Sequence, residues 1–175
     1  MYRLYESLTL IRDFMELGGD VLWGVFFVTA LMWTFLLERM WYYRKLYPAR
    51  REEVLAAWKA RQDTESWYAK RIRDKMVSDV QIELMQYLPL IKTCIGVLPL
   101  IGLLGTVTGM IQVFDVMAYT GAGNARLMAG GVSAATVPTM AGMVAALSGL
   151  AIAARLDHYA KDEAMRFADS LRHED

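Results

Sequence analysis

Between Lys92 and Asp115 the chain reads TCIGVLPLIGLLGTVTGMIQVF, Thr93–Phe114, 22 residues without a charged side chain. As a helix this stretch is about 33 Å long, enough to cross a hydrocarbon core of about 30 Å. Helices of water-soluble domains rarely run much past about 20 residues, and they nearly always keep a polar face. The stretch therefore reads as a transmembrane helix.

Two further charge-free runs flank it. Val21–Leu37, VLWGVFFVTALMWTFLL, has 17 residues and sits at the short end of the spanning range. Leu127–Ala154 has 28, more than a bilayer requires. The fold expected is an all-α integral membrane protein with three transmembrane helices and long cytoplasmic helical extensions. The whole chain of 175 residues agrees, with 55% hydrophobic residues and a mean hydropathy of +0.24. Its 19 basic residues balance 19 acidic ones, which excludes a strongly basic nucleic-acid binder and an acidic disordered tail. Cys94 has no second cysteine to pair with, and His158 and His173 lie far from it, so no disulfide or structural zinc framework is expected.

Orientation follows from basic residues. Residues 38–87 carry eleven Lys and Arg, among them Arg39, Arg44, Lys45, Arg50, Arg51, Lys70 and Arg71, whereas 115–126 carries only Arg126. The positive-inside rule then makes the long segment cytoplasmic. The expected divisions are a periplasmic amphipathic helix (1–20), a first span (21–37), a cytoplasmic helical loop (38–87), a second span (88–114), a short periplasmic loop (115–126), a third span (127–154) and a cytoplasmic tail (155–175). No cleaved leader is expected, because the first apolar run begins only at Val21 behind several charges.

The polar pieces carry helical periodicity. Leu4, Leu8, Ile11 and Met15 line one face of the first segment, which Gly18–Gly19 should end. Pro48 marks a break after the first span. Ile72, Met76, Val80, Leu84 and Leu88 recur every four residues and form one apolar stripe running into the second span. Leu156, Ala160, Ala164, Phe167 and Leu171 form another after the third. The two stripes are expected to pack on one another and on neighbouring copies, with a lipid-binding role for the basic loop as the weaker alternative, since eight acidic residues oppose its eleven basic ones.

No P-loop, GxSxG or HExxH is present, and the chain reads as a non-enzyme without a cofactor. What distinguishes it is the small and hydroxyl residues of the second and third spans. Gly102, Gly105 and Gly109 in the second, and Gly142 with Gly130, Gly131, Ala146 and Gly149 in the third, allow helix backbones to approach closely in lipid. Ser133, Thr136 and Thr139 fall within about 120° of one helix face, with Thr106 near the middle of the other span. Each threonine can satisfy itself on a carbonyl one turn back; Pro138 frees the carbonyl of Ala134 and so favours a polar seam. Between their flanking charges, the three runs 21–37, 93–114 and 127–154 contain no Asp, Glu, His, Lys or Arg. A proton relay at mid-membrane would thus need an acid from another chain. Lys92 is expected to snorkel to water at the border of the second span, and Cys94 to act as a small apolar residue.

The segment Leu98–Gly109, LPLIGLLGTVTG, followed by GVSAATVPTMAGMVAAL, resembles the paired second and third helices of the ExbB/TolQ/MotA family of inner-membrane motor subunits, most of all ExbB. The resemblance implies a homopentamer, without nucleic acid, in contact with membrane lipids and holding two helices of an ExbD-like single-span partner whose aspartate carries protons. In the ExbB branch the resulting motion passes through a TonB-like protein to outer-membrane importers of iron siderophores and similar substrates. It also implies that Thr106 and Thr139 face the proton pathway. The chain departs from the commonest ExbB pattern at Ala134, where many members carry a glutamate eight residues before the glycine that Gly142 matches. A TolQ-like motor for outer-membrane integrity and a non-conducting membrane scaffold are the competing readings; a MotA-like stator is disfavoured by the short loop 38–87.

Overall fold

A computed structural model describes the backbone of residues 2–61, 63, 66–120 and 125–171, and the side chains of 19–61, 63, 66–119 and 128–171. Among the described residues five α-helices follow in order: α1 Tyr2–Trp41, α2 Tyr47–Lys59, α3 Trp67–Met85, α4 Leu88–Thr120 and α5 Ala125–Ser170, with a π-helical turn Tyr42–Leu46 between α1 and α2. No strand occurs among the described residues. Three helical runs among the described residues are long and apolar enough to cross a membrane, so the chain is an all-α multi-pass membrane protein.

The apolar face expected on residues 4–15 falls on side chains outside the described set. The backbone does bend where the double glycine stands, with Gly19 at φ 63 and ψ −164. A residue with a Cβ would resist that conformation, and glycine does not.

Two compact units divide the chain. The first joins Met1–Trp33 to Thr93–Leu150. Here α1 meets α4 where Gly24 lies beside Ile101, and meets α5 where the Met32 side chain covers Gly149. Leu22, Val25, Met32, Leu98, Val113, Ala135 and Ala146 form the interior. Phe26, Phe27, Leu104, Val107, Val144 and Leu147 are instead more than half exposed. In water such a surface would aggregate; in a bilayer lipid tails or neighbouring helices can cover it.

The second unit joins Thr34–Lys92 to Ala151–Asp175. Its buried set includes Leu36, Tyr43, Tyr47, Trp58, Val80, Leu84, Leu88, Leu156, Ala160, Ala164, Phe167 and Leu171. Both apolar stripes thus supply core residues, although Ile72 and Met76 are only half-buried. Ser66 caps α3, its hydroxyl oxygen accepting from the Ala69 N–H at 3.1 Å.

Two expectations for this region are corrected. Pro48 does not break the helix: the Tyr47 N–H bonds to the Tyr42 carbonyl five residues back, which puts Pro48 in the first turn of α2. There its missing N–H costs little. Conversely, the stripe that looked like one helix from Ile72 into the second span is interrupted at Gln86–Tyr87. Pro89 supplies the reason, because in an unbroken helix it could not donate to the Met85 carbonyl and its ring would crowd that oxygen.

The orphan carbonyls at the end of α3 are capped from α1 and the turn after it. The Arg39 guanidinium donates to the Glu83 carbonyl at 2.9 Å, and the Tyr43 hydroxyl to the Leu84 carbonyl at 2.6 Å. Arg39 is only 1% exposed. Its charge is met by Glu38 at 3.0 Å and by the rings of Tyr42 and Tyr87, 4.8 and 4.9 Å from its central carbon. In linear order this arginine is one of the eleven basic residues of 38–87.

Lys92, about half exposed, also makes a pairing that the sequence does not signal. It pairs with Asp157 at 2.8 Å, and Lys161 takes the other carboxylate oxygen at the same distance. Hydrogen bonds from Lys161 and Lys92 hold the Asp157 carboxyl below the usual carboxylate range. The bridge ties the start of α4 to α5 through two residues 65 positions apart in sequence.

Candidate functional site

Helices α4 and α5 meet through their smallest residues. A Cβ on Gly102 would stand 2.8 Å from the Thr139 Cα, and one on Gly109 would stand 2.6 Å from the Ala135 Cβ. On the facing helix, a Cβ on Gly142 would lie 2.6 Å from the Leu98 carbonyl oxygen. Backbone therefore lies on backbone, and no larger residue fits without parting the helices.

Pro138 belongs to the same contact. Its ring is buried, and its Cβ lies 2.5 Å from where a side chain at Gly105 would begin. Proline inside an α-helix normally costs about 3 kcal/mol. Here α5 continues through it from Ala125 to Ser170, and the ring fills the notch that Gly105 leaves.

This approach brings Thr106 of α4 and Thr139 of α5 together, their hydroxyl oxygens 2.8 Å apart. Thr139 can donate across the interface to the Gly102 carbonyl at 2.7 Å, and Thr106 within its own helix to the Leu103 carbonyl at 2.9 Å. Two hydroxyls carry two protons, yet three short oxygen–oxygen contacts compete for them. At most two contacts are hydrogen-bonded at any moment, so the pair can reorient its protons without moving a heavy atom. Both side chains are half-buried and keep one side open.

Ser133 and Thr136 do not join this pair. Both are exposed, and the Thr136 hydroxyl is satisfied by the Ser133 carbonyl at 2.8 Å. Cys94 is buried, and Gly130 has open space around it. Gly131 abuts Val113. The cross-helix bond from Thr139 to the Gly102 carbonyl had no counterpart in the sequence reading; no residue spacing within one helix signals a bond to a carbonyl on another.

A tight glycine-bearing helix pair with a hydroxyl pair at its seam, carried on charge-free spans, defines an apolar multi-pass membrane protein with a polar point between helices. The profile of the MotA/TolQ/ExbB proton channel family matches residues 46–169, and the chain belongs to that family. Among known proteins it is similar to the biopolymer transport protein ExbB-like 3 of Synechocystis sp., 42% identical over 72 residues, which is 40% of this chain and 34% of that protein. It is also similar to ExbB-like 1 of the same organism, 41% identical over 66 residues, covering 36% of this chain and 26% of that one. The matched segment is thus about a third or less of either relative.

Proposed function

We propose that this chain is the ExbB-type subunit of an inner-membrane motor driven by the proton-motive force. An ExbD-like partner supplies a titratable aspartate, and Thr106 and Thr139 form part of a hydroxyl ring around it. The observation that carries the reading is the 2.8 Å Thr106–Thr139 pair in spans that contain no acid of their own. A hydroxyl whose proton can point either way can donate to a carboxylate and accept from a carboxylic acid. The pair therefore suits a neighbour that alternates between the two states.

The remaining parts follow from the same reading. Five copies surround two partner helices, with the long segment 38–87 and the tail in the cytoplasm and the loop 115–126 in the periplasm. The work drives TonB-dependent import across the outer membrane. One charge moving through 100 mV releases about 2.3 kcal/mol, so a few protons suffice for a mechanical step. The chain transports and transmits; it catalyses no bond rearrangement.

The test is uptake by cells carrying the chain with its membrane partner, measured with and without a gradient-collapsing agent. Uptake that stops on collapse, and that stops with Thr106→Val or Thr139→Val while the complex still assembles, supports the reading. Uptake that survives collapse makes the chain a scaffold. Co-purification with a TolA-type rather than a TonB-type protein moves the output to outer-membrane maintenance.

A further inference from the structure

Tyr87 has a backbone conformation that a side chain resists. Gln86, at φ −55 and ψ 140, is followed by Tyr87 at φ 63, the sequence of φ values of a type II turn, whose second central position ordinarily holds glycine. Tyr87 is the described non-glycine residue with positive φ. Its carbonyl also opens α4, accepting from the Ile91 N–H at 2.9 Å.

Two side chains of α1 oppose this strain. The Tyr87 ring stacks on Phe35 with centroids 5.3 Å apart and 26° between the planes. Its other neighbour is the Arg39 guanidinium, 4.9 Å from the ring centre. Arg39 in turn holds the last turn of α3 through the Glu83 carbonyl and reaches the Gln86 side-chain oxygen at 3.5 Å. A backbone that tends to leave the left-handed region is thus held there by ring contacts and one buried cation. Glycine would keep the turn without any of them, so strain retained at this position points to a use for it.

We infer that Gln86–Tyr87 is a strained hinge between α3 and α4, latched by Arg39 and Phe35. When the latch lets go, Tyr87 leaves the left-handed region, the Ile91 N–H loses its acceptor, and the Glu83 carbonyl loses its cap. The inference concerns this chain alone and stands whether or not the motor reading does.

Hydrogen exchange at the Ile91 amide, measured on the full chain in lipid nanodiscs, tests it. Arg39→Lys keeps the charge but loses the planar fork, and should speed exchange at least tenfold. Phe35→Leu removes only the stack and should speed it about threefold. Tyr87→Phe keeps both ring and strain and should exchange as the parent does. The decisive measurement is the double variant Arg39→Lys with Tyr87→Gly. Because glycine removes the strain that drives release, exchange should return to within about threefold of the parent. If Tyr87 acted only as packing, the double variant would exchange faster than Arg39→Lys alone, and that result would overturn the hinge. Unchanged exchange in both Arg39→Lys and Phe35→Leu would overturn the latch. Should Arg39→Lys fail to fold, Phe35→Leu with Tyr87→Gly should exchange no faster than Phe35→Leu alone, and faster exchange would overturn the hinge.

Discussion

The Leu98 carbonyl oxygen lies 2.6 Å from the point where a side chain on Gly142 would begin. With Gly102 set against the Thr139 backbone, this contact fixes how closely α4 and α5 approach, and hence whether Thr106 can meet Thr139 at all.

Gly142→Ala and Gly102→Ala should each destabilise the chain by about 1–3 kcal/mol, because the obstructing atoms belong to backbone and cannot turn aside. Gly130→Ala, with nothing within 4 Å, should be neutral. Gly149→Ala should be milder than the first two, since it meets the flexible Met32 side chain. Thermal unfolding in detergent ranks the four; equal effects at 130 and 142 would contradict the packing.

Thr106→Val and Thr139→Val should each cost about 0.5–1.5 kcal/mol, and the double variant less than their sum, since the two share one contact. A double-mutant cycle in the same assay measures the coupling. Serine at either position retains the hydroxyl and should retain proton-driven uptake, whereas valine should abolish it.

Tyr43→Phe removes the donor from the Leu84 carbonyl and should cost about 1–3 kcal/mol, because that carbonyl is left buried at a helix end. Loss of exchange protection confined to the unit of residues 34–92 and 151–175 would accompany it; an unchanged melting temperature would count against the cap.

Asp157→Asn should lower stability by about 0.2–1 kcal/mol, in keeping with a bridge whose lysines are about half exposed. The folded carboxyl is held below its ordinary value, so its contribution is complete above about pH 4 and fades as pH falls through the depressed value. Melting curves of parent and variant should therefore stay separated by a constant interval between about pH 5 and 8 and converge only in stronger acid.

The residues that decided membrane class were legible in linear order because lipid excludes charge wherever a helix crosses it, and a run such as Thr93–Phe114 needs no partner to be recognised. Glycine spacing and the Leu156–Leu171 stripe were legible for the same kind of reason, being periods of a single helix. Pro48 and the stripe through Leu84 and Leu88 misled, because each was read from local rules. A π-helical turn absorbed the first proline, and Pro89 cut the second pattern at Tyr87. Arg39 was invisible as anything but charge, since its guanidinium bonds two acceptors more than forty residues away as well as Glu38.

The sequence by itself determined an all-α membrane protein with three charge-free apolar stretches, each long enough to span a bilayer, since each apolar helix satisfies its own backbone and needs nothing else to be read. Only the tertiary structure decided which hydroxyls meet, which carbonyls they share, and where the chain turns under strain at Tyr87. Those features depend on close approach between segments distant in sequence, and approach is set by packing rather than by any period along the chain.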